Sequence, residues 1–213
     1  MSAAPEVAAV FGGSFNPPHV AHVLATVYAL SVSGVDRVIV VPVFRHPFAK
    51  ALAPYEDRVQ MAELAMGWLP RVSVSTIERE LGGDSYTLRT VEALAARHPE
   101  LRLRLLVGAD VLADLPRWHR FERIAELAPP LVMGRGGLGA AAPEGVPEGL
   151  TPTAAVLPAV SSTEVRRQLS EGRPEAVRDL VPASVLRYIE ERGLYRGEGG
   201  SVPPAHTIVE EAP

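Results

Sequence analysis

Cysteine is absent from the 213-residue chain, which excludes disulfides, a thiolate nucleophile and Cys-bound zinc. No run approaches the roughly 18 consecutive apolar residues that a membrane-spanning helix needs, so no membrane partner is expected. The opening MSAAPEVAAVFGG lacks the basic start and long apolar stretch of a secretory signal. A cytoplasmic protein is the expectation. Lysine is nearly missing as well: Lys50 stands alone among twenty arginines. A net charge of −4, with no basic, aromatic-interleaved patch, argues against a nucleic-acid partner. The first glycine turn, GGSFNP, does not supply a G-x-G-x-x-G fingerprint, which argues against a dinucleotide oxidoreductase, and there is no serine-elbow motif or internal repeat.

What is present looks globular, with 47% hydrophobic and 22% charged residues. Short β-branched runs at 6–11, 36–42, 71–76, 101–108, 129–134 and 154–158 read as strands. Several are apolar on both faces, as strands covered by helices on both sides must be. Segments of helical period lie between them, at 20–34, at 54–69 and from a cap candidate at Ser85 to Pro99. Strand, helix, strand, repeated, implies a doubly wound parallel α/β sheet. After residue 158 only helical patterns follow. One opens at Ser161 with Glu164 at capping-box spacing, and one spans 182–195 with Gly193 as its stop. The expected organisation is one domain over 1–196, with an α/β core over 7–158 and C-terminal helices over 159–196. Residues 135–153 read as a long loop and 197–213 as a disordered tail.

The stretch VFGGSFNPPHVAH (10–22) carries the strongest chemical signal. Gly12 and Gly13 follow the first strand directly and would let backbone N–H groups approach a phosphate. A helix starting near Val20 would add free N–H groups and the positive end of its dipole. His19 and His22, three residues apart, can serve one ligand together. Metal binding by the pair alone is not expected, since no third ligand stands nearby.

GGSFNPPHVAH resembles the first signature of the HxGH nucleotidyltransferase superfamily, and SSTEVRRQL resembles its second. Within that superfamily, SYTLRTVEAL, LLVGADVLADLPRWHRFERI and VPASVLRYIEERGLY are similar to nicotinate-nucleotide adenylyltransferases. The likeness runs over roughly residues 7 to 196. It implies a Rossmann-like nucleotidyltransferase fold, and transfer of AMP from ATP to nicotinate mononucleotide by in-line attack on the α-phosphorus. Two positions depart from the usual pattern: Asn16 stands for Asp, and Ala21 for Gly.

By position the resemblance gives Gly12, Gly13, Ser14 and Phe15 to the phosphate turn, and His19 and His22 to the triphosphate. Ser161, Ser162 and Thr163 would bind phosphate at a helix start, with Arg166 forking onto the β- and γ-phosphates. Lys50 is a further phosphate candidate. Gly108 and Asp110 would approach the ribose, with a helix N-cap as the equal alternative for Asp110. Tyr86, Thr87 and Trp118 are assigned to the pyridine nucleotide, Trp118 by ring stacking. Mg²⁺ would arrive bound through the ATP phosphates, with no metal site of the protein's own. Asp57 and Arg58 read as helix-dipole or ion-pair residues, Arg167 as solvated, and Trp68 as core. The runners-up are a nicotinamide mononucleotide or phosphopantetheine adenylyltransferase, or a catalytically weakened nucleotide-binding relative. A homo-oligomer is left open.

Overall fold

Alternation along the strands assigns each side chain to one of two cores. In β1 (Val7–Gly13), Ala8 and Val10 point into one and Ala9 and Phe11 into the other. β2 (Arg37–Pro42) divides Ile39 and Val41 from Val38 and Val40 in the same way. A strand with both faces buried reads as a continuous apolar run, and these do. The computed structural model describes residues 5–46, 52–135, 153 and 156–197. Lys50, most of the 135–153 loop and the tail beyond Gly197 therefore lie outside the described residues.

β3 (Val72–Val74), β4 (Arg102–Gly108), β5 (Pro130–Arg135) and the two-residue β6 (Val156–Leu157) complete an all-parallel sheet of order β3-β2-β1-β4-β5-β6. All six expected strands are present. On one face lie α1 (Val20–Val32), α2 (Tyr55–Ala62), α6 (Ser162–Ser170) and α7 (Ala183–Arg192); on the other, α3 (Ile77–Leu81), α4 (Thr87–Arg97) and α5 (Phe121–Leu127). Val165 and Leu169 of α6 and Val185, Leu186 and Ile189 of α7 are buried in the same cluster as Ala9 and Phe11. The C-terminal helices thus close the core of the sheet and form no separate layer.

Several local expectations need correction. Ser85 does not cap α4. Its hydroxyl accepts instead from the backbone N–H groups of Phe44 (3.1 Å) and Arg45 (3.2 Å), tying the β2 loop to the start of α4. Trp68 is 69% exposed, with its indole N–H donating to the Ala65 carbonyl (3.0 Å). The cause lies just upstream, where α2 runs into a π-helical turn over Glu63–Gly67. The extra residue per turn shifts the helix register and turns Trp68 outward. Ser161 caps α6 as expected, accepting from Glu164 N–H (3.2 Å). The Glu164 carboxylate, however, bonds Arg167 and Gln168. Arg167 is exposed and paired with Glu164 and Glu171.

Candidate active site

β1 and β4 are neighbours, and the chain leaves them for opposite halves of the sheet, so their carboxyl ends open a crevice at the switch point. A cleft of about 240 Å³ occupies it. Phe11, Gly12, His19, Ala21, His22 and Ala25 line it from β1 and α1. Leu106, Val107, Gly108, Asp110 and Val111 line it from β4 onward, and Met133, Leu157 and Pro158 complete it. Five of the expected site residues, Gly12, His19, His22, Gly108 and Asp110, are thus brought together from two strand ends.

The glycines do different work. A Cβ on Gly12 would meet nothing within 4 Å, so its peptide is open to the cleft. A Cβ on Gly13 would stand 3.0 Å from the Phe15 ring, which folds back beneath the turn with φ of 45°. Phe15 is buried, edge-on to Phe11 (5.5 Å) and to His22 (5.1 Å). Its side chain supports the turn and the histidine from inside.

His19 and His22 stack with ring centroids 3.8 Å apart. His19 N–H donates to His22 Nδ1 (3.0 Å). An accepting Nδ1 places the proton of the neutral ring on Nε2, which fixes the imidazole as a donor at that nitrogen. The helix terminus offers fewer free donors than the sequence suggests, because Val20 N–H is taken by Leu180 O (2.8 Å) and His22 N–H by His19 O (2.9 Å). The imidazoles, more than the helix end, are the donors here.

The turn after β1 is braced from elsewhere in the chain, and sequence reading missed the main brace. Arg58 is 1% exposed. Its guanidinium donates to the carbonyls of Ala53 (3.0 Å), Ser14 (3.0 Å) and Phe44 (3.5 Å), and lies over the Tyr55 ring. Burial pulls its pKa below the usual arginine value. Arg58 therefore serves backbone carbonyls and is no ion-pair residue, whereas Asp57, buried too, does form the expected ion pair, accepting from Arg192 (3.1 Å) and also from Tyr188 (2.7 Å). The period held a signal: Arg58, Met61, Ala62 and Ala65 share one helical face, and all are buried. Asn16 is buried as well. Its Oδ1 accepts from Ala53 N–H (3.0 Å) and from the Tyr195 hydroxyl (2.7 Å), two bonds that an aspartate oxygen would also accept. The departure at this position keeps that acceptor.

The second signature meets the same turn. Ser162 Oγ donates to Pro17 O (2.9 Å). Arg166 donates to Asn16 O (2.7 Å) and to the Thr163 hydroxyl (3.2 Å). In this arrangement these side chains hold protein oxygens. The remaining guanidinium N–H groups of Arg166 are what a phosphate could use. Gly108 has a local reason: a Cβ there would crowd Asp110 Oδ1, so the carboxylate folds back over the glycine. Asp110 stands in the first turn of a 3-10 helix over Ala109–Arg117.

Tyr86, Thr87 and Trp118 do not line the cleft. Tyr86, 44% exposed, faces His119 at 6.1 Å, and Thr87 begins α4. Trp118 is half-buried and packs against the core beneath α4 and α5. The neighbouring Arg120 takes a left-handed conformation, φ 54°, where α5 begins. Among the described residues, no group of three His, Asp or Glu side chains is arranged to hold a metal ion.

Residues 10–168 match the cytidylyltransferase-like family. A relative from Anaeromyxobacter sp. strain K, named "Probable nicotinate-nucleotide adenylyltransferase", is 50% identical over 92% of this chain and 100% of its own length. One of the same name from Thermus thermophilus is 39% identical over 88% of this chain and 98% of its own. The fold is shared with Plasmodium falciparum nicotinic acid mononucleotide adenylyltransferase, solved in complex with NaAD (TM-score 0.73, 18% identity, covering 89% of this chain and 97% of that one). Two signatures meeting at one turn, with relatives alike from end to end, place this chain among the cytidylyltransferase-like proteins, in their nicotinate-nucleotide adenylyltransferase family.

Proposed function

We propose that this chain transfers AMP from ATP to nicotinate mononucleotide, releasing pyrophosphate and nicotinate adenine dinucleotide, as a cytoplasmic single-domain enzyme of NAD biosynthesis. The observation that carries the reading is the stacked histidine pair. His22 is set by its Nδ1 bond to offer Nε2–H beside the open Gly12 peptide.

The mononucleotide phosphate oxygen attacks the α-phosphorus. The bond from that phosphorus to the α–β bridging oxygen breaks, and pyrophosphate leaves with that oxygen. No side-chain nucleophile is needed, so the protein's share is position and charge. His22 donates to a non-bridging α-phosphate oxygen, where negative charge grows, and His19 to the neighbouring phosphate. Gly12, Gly13, Ser14 and Phe15 supply the turn. Arg166 forks onto the β- and γ-phosphates, Ser161, Ser162 and Thr163 add phosphate contacts at the start of the same helix, and Lys50 is a further phosphate candidate. The apolar lining of Ala21, Ala25, Met133 and Leu157 suits a base, with Asp110 toward the ribose. Tyr86, Thr87 and Trp118 receive the pyridine nucleotide. Mg²⁺ would enter with ATP, bound through the phosphates.

Pyrophosphate release with ATP and Mg²⁺ tests this, with nicotinate mononucleotide, its amide counterpart and phosphopantetheine as acceptors. Release with the nicotinate form alone is expected. Equal use of acid and amide would remove the acid specificity, and release with phosphopantetheine alone would reassign the acceptor. No release with any of the three would make this a nucleotide-binding relative.

A further inference from the structure

We infer that Tyr195 is a positioning residue for the phosphate turn, acting through Asn16; the inference rests on the adenylyl-transfer reading. Tyr195 lies beyond the last turn of α7, outside the cleft lining and outside both signatures. Its hydroxyl nevertheless reaches Asn16 Oδ1 at 2.7 Å, across 179 residues of sequence.

Asn16 is the point where the turn is held. It is 2% exposed, and three groups fix it from three parts of the chain. Ala53 N–H and Tyr195 O–H share its side-chain oxygen, and Arg166 takes its backbone carbonyl. The Ala53 N–H can only donate there, so the amide is oriented with Oδ1 toward it and Tyr195 must be the second donor. Three residues on from Asn16, His19 supplies the N–H that sets His22. A shift of Asn16 is therefore transmitted through Pro17 and Pro18 to the histidine pair.

Two further observations separate this from incidental packing. Tyr195 adopts φ of 61°, a left-handed conformation that a tyrosine holds only where its surroundings fix it. Burial also pushes the phenol pKa up, so the hydroxyl stays a donor throughout the working pH range.

The test is Tyr195→Phe, which keeps the ring and removes the donor. Losing one buried hydrogen bond is on the order of tenfold in an equilibrium. Turnover is expected to fall about tenfold and ATP binding by calorimetry to weaken severalfold, with the melting temperature within a few degrees of wild type. In an Asn16→Ala background the same change should do nothing further, because the acceptor has gone. Asn16→Leu, closer in size, replaces that background if the alanine variant does not fold. Unchanged turnover and ATP affinity in Tyr195→Phe, or an effect that simply adds to that of the Asn16 variant, would overturn the inference. A wild-type chain that binds ATP but forms no dinucleotide refutes the adenylyl-transfer reading alone, and the binding arm still decides Tyr195. A wild-type chain that binds no ATP overturns both.

Discussion

The two ends of the candidate site are built on different principles. At the β1 end the turn over 14–18 is largely buried and held by groups that arrive from positions 53, 58, 162, 166 and 195. At the β2–α4 end, Tyr86 is exposed and its ring contact to His119 is a loose one. The loop before it is held mainly by local bonds, with Arg89 donating to the carbonyls of Leu81, Gly82 and Asp84, and is tied to the β2 loop through Ser85. In the proposed reaction charge develops at the first end, where a small displacement weakens catalysis steeply. On the same proposal the second end has only to recognise a ring and can adjust around it. Rigidity is concentrated where the proposed reaction needs it.

Breaking the bracing at its centre should have the largest effect. Arg58→Met leaves buried carbonyls of Ser14 and Ala53 without their donor, and stability to urea should fall by about 3 kcal/mol. A loss under about 0.5 kcal/mol would mean that the guanidinium is not holding the turn. His22→Ala should leave the urea transition in place and lower turnover roughly a hundredfold, as loss of a transition-state donor does. Near-normal turnover would move the chemistry away from the histidine pair. At the other end, Trp118→Ala should weaken nicotinate mononucleotide about tenfold by calorimetry and ATP far less. Because Trp118 also packs on the core, Trp118→Phe should recover most of the affinity. Equal weakening of both ligands would dissolve the distinction between the two ends.

The smallest effect belongs to the outer surface of α6. The Glu164 carboxylate is held down to about 2 by its hydrogen bonds to Arg167 and then to Gln168. A folded-state pKa below the unfolded one means that the contribution is complete above the usual glutamate range and disappears as pH falls toward 2. Glu164→Gln should therefore lower the melting temperature slightly at neutral pH and not at all near pH 2. The difference should shrink in high salt, as for any exposed pair.

Much of this was legible because local rules governed it. The six strands declared themselves by short β-branched runs, several of them apolar on both faces, Gly193 and Ser161 by their capping positions, and the turn by its glycines and paired histidines. What stayed hidden depended on partners far away in sequence. Arg58 looked like any arginine near a helix start, since nothing local says that the carbonyls of Ser14 and Phe44 close over it. Ser85 has the spacing of a cap, but the β2 loop supplies donors that compete for its hydroxyl. Trp68 follows an amphipathic run, and only the π-turn reverses the face on which it falls. The positive-φ backbone of Phe15 and Tyr195 leaves no mark in composition at all.

The 179-residue span between Asn16 and Tyr195 also bears on how the molecule is made. A ribosome delivers the histidine turn long before the tyrosine that braces it. The nascent chain can form β1 and α1 early, yet it carries an unfinished phosphate loop until α7 and the residues after it have emerged. A chain cut between α6 and Tyr195 would own every signature residue and still lack the brace on Asn16.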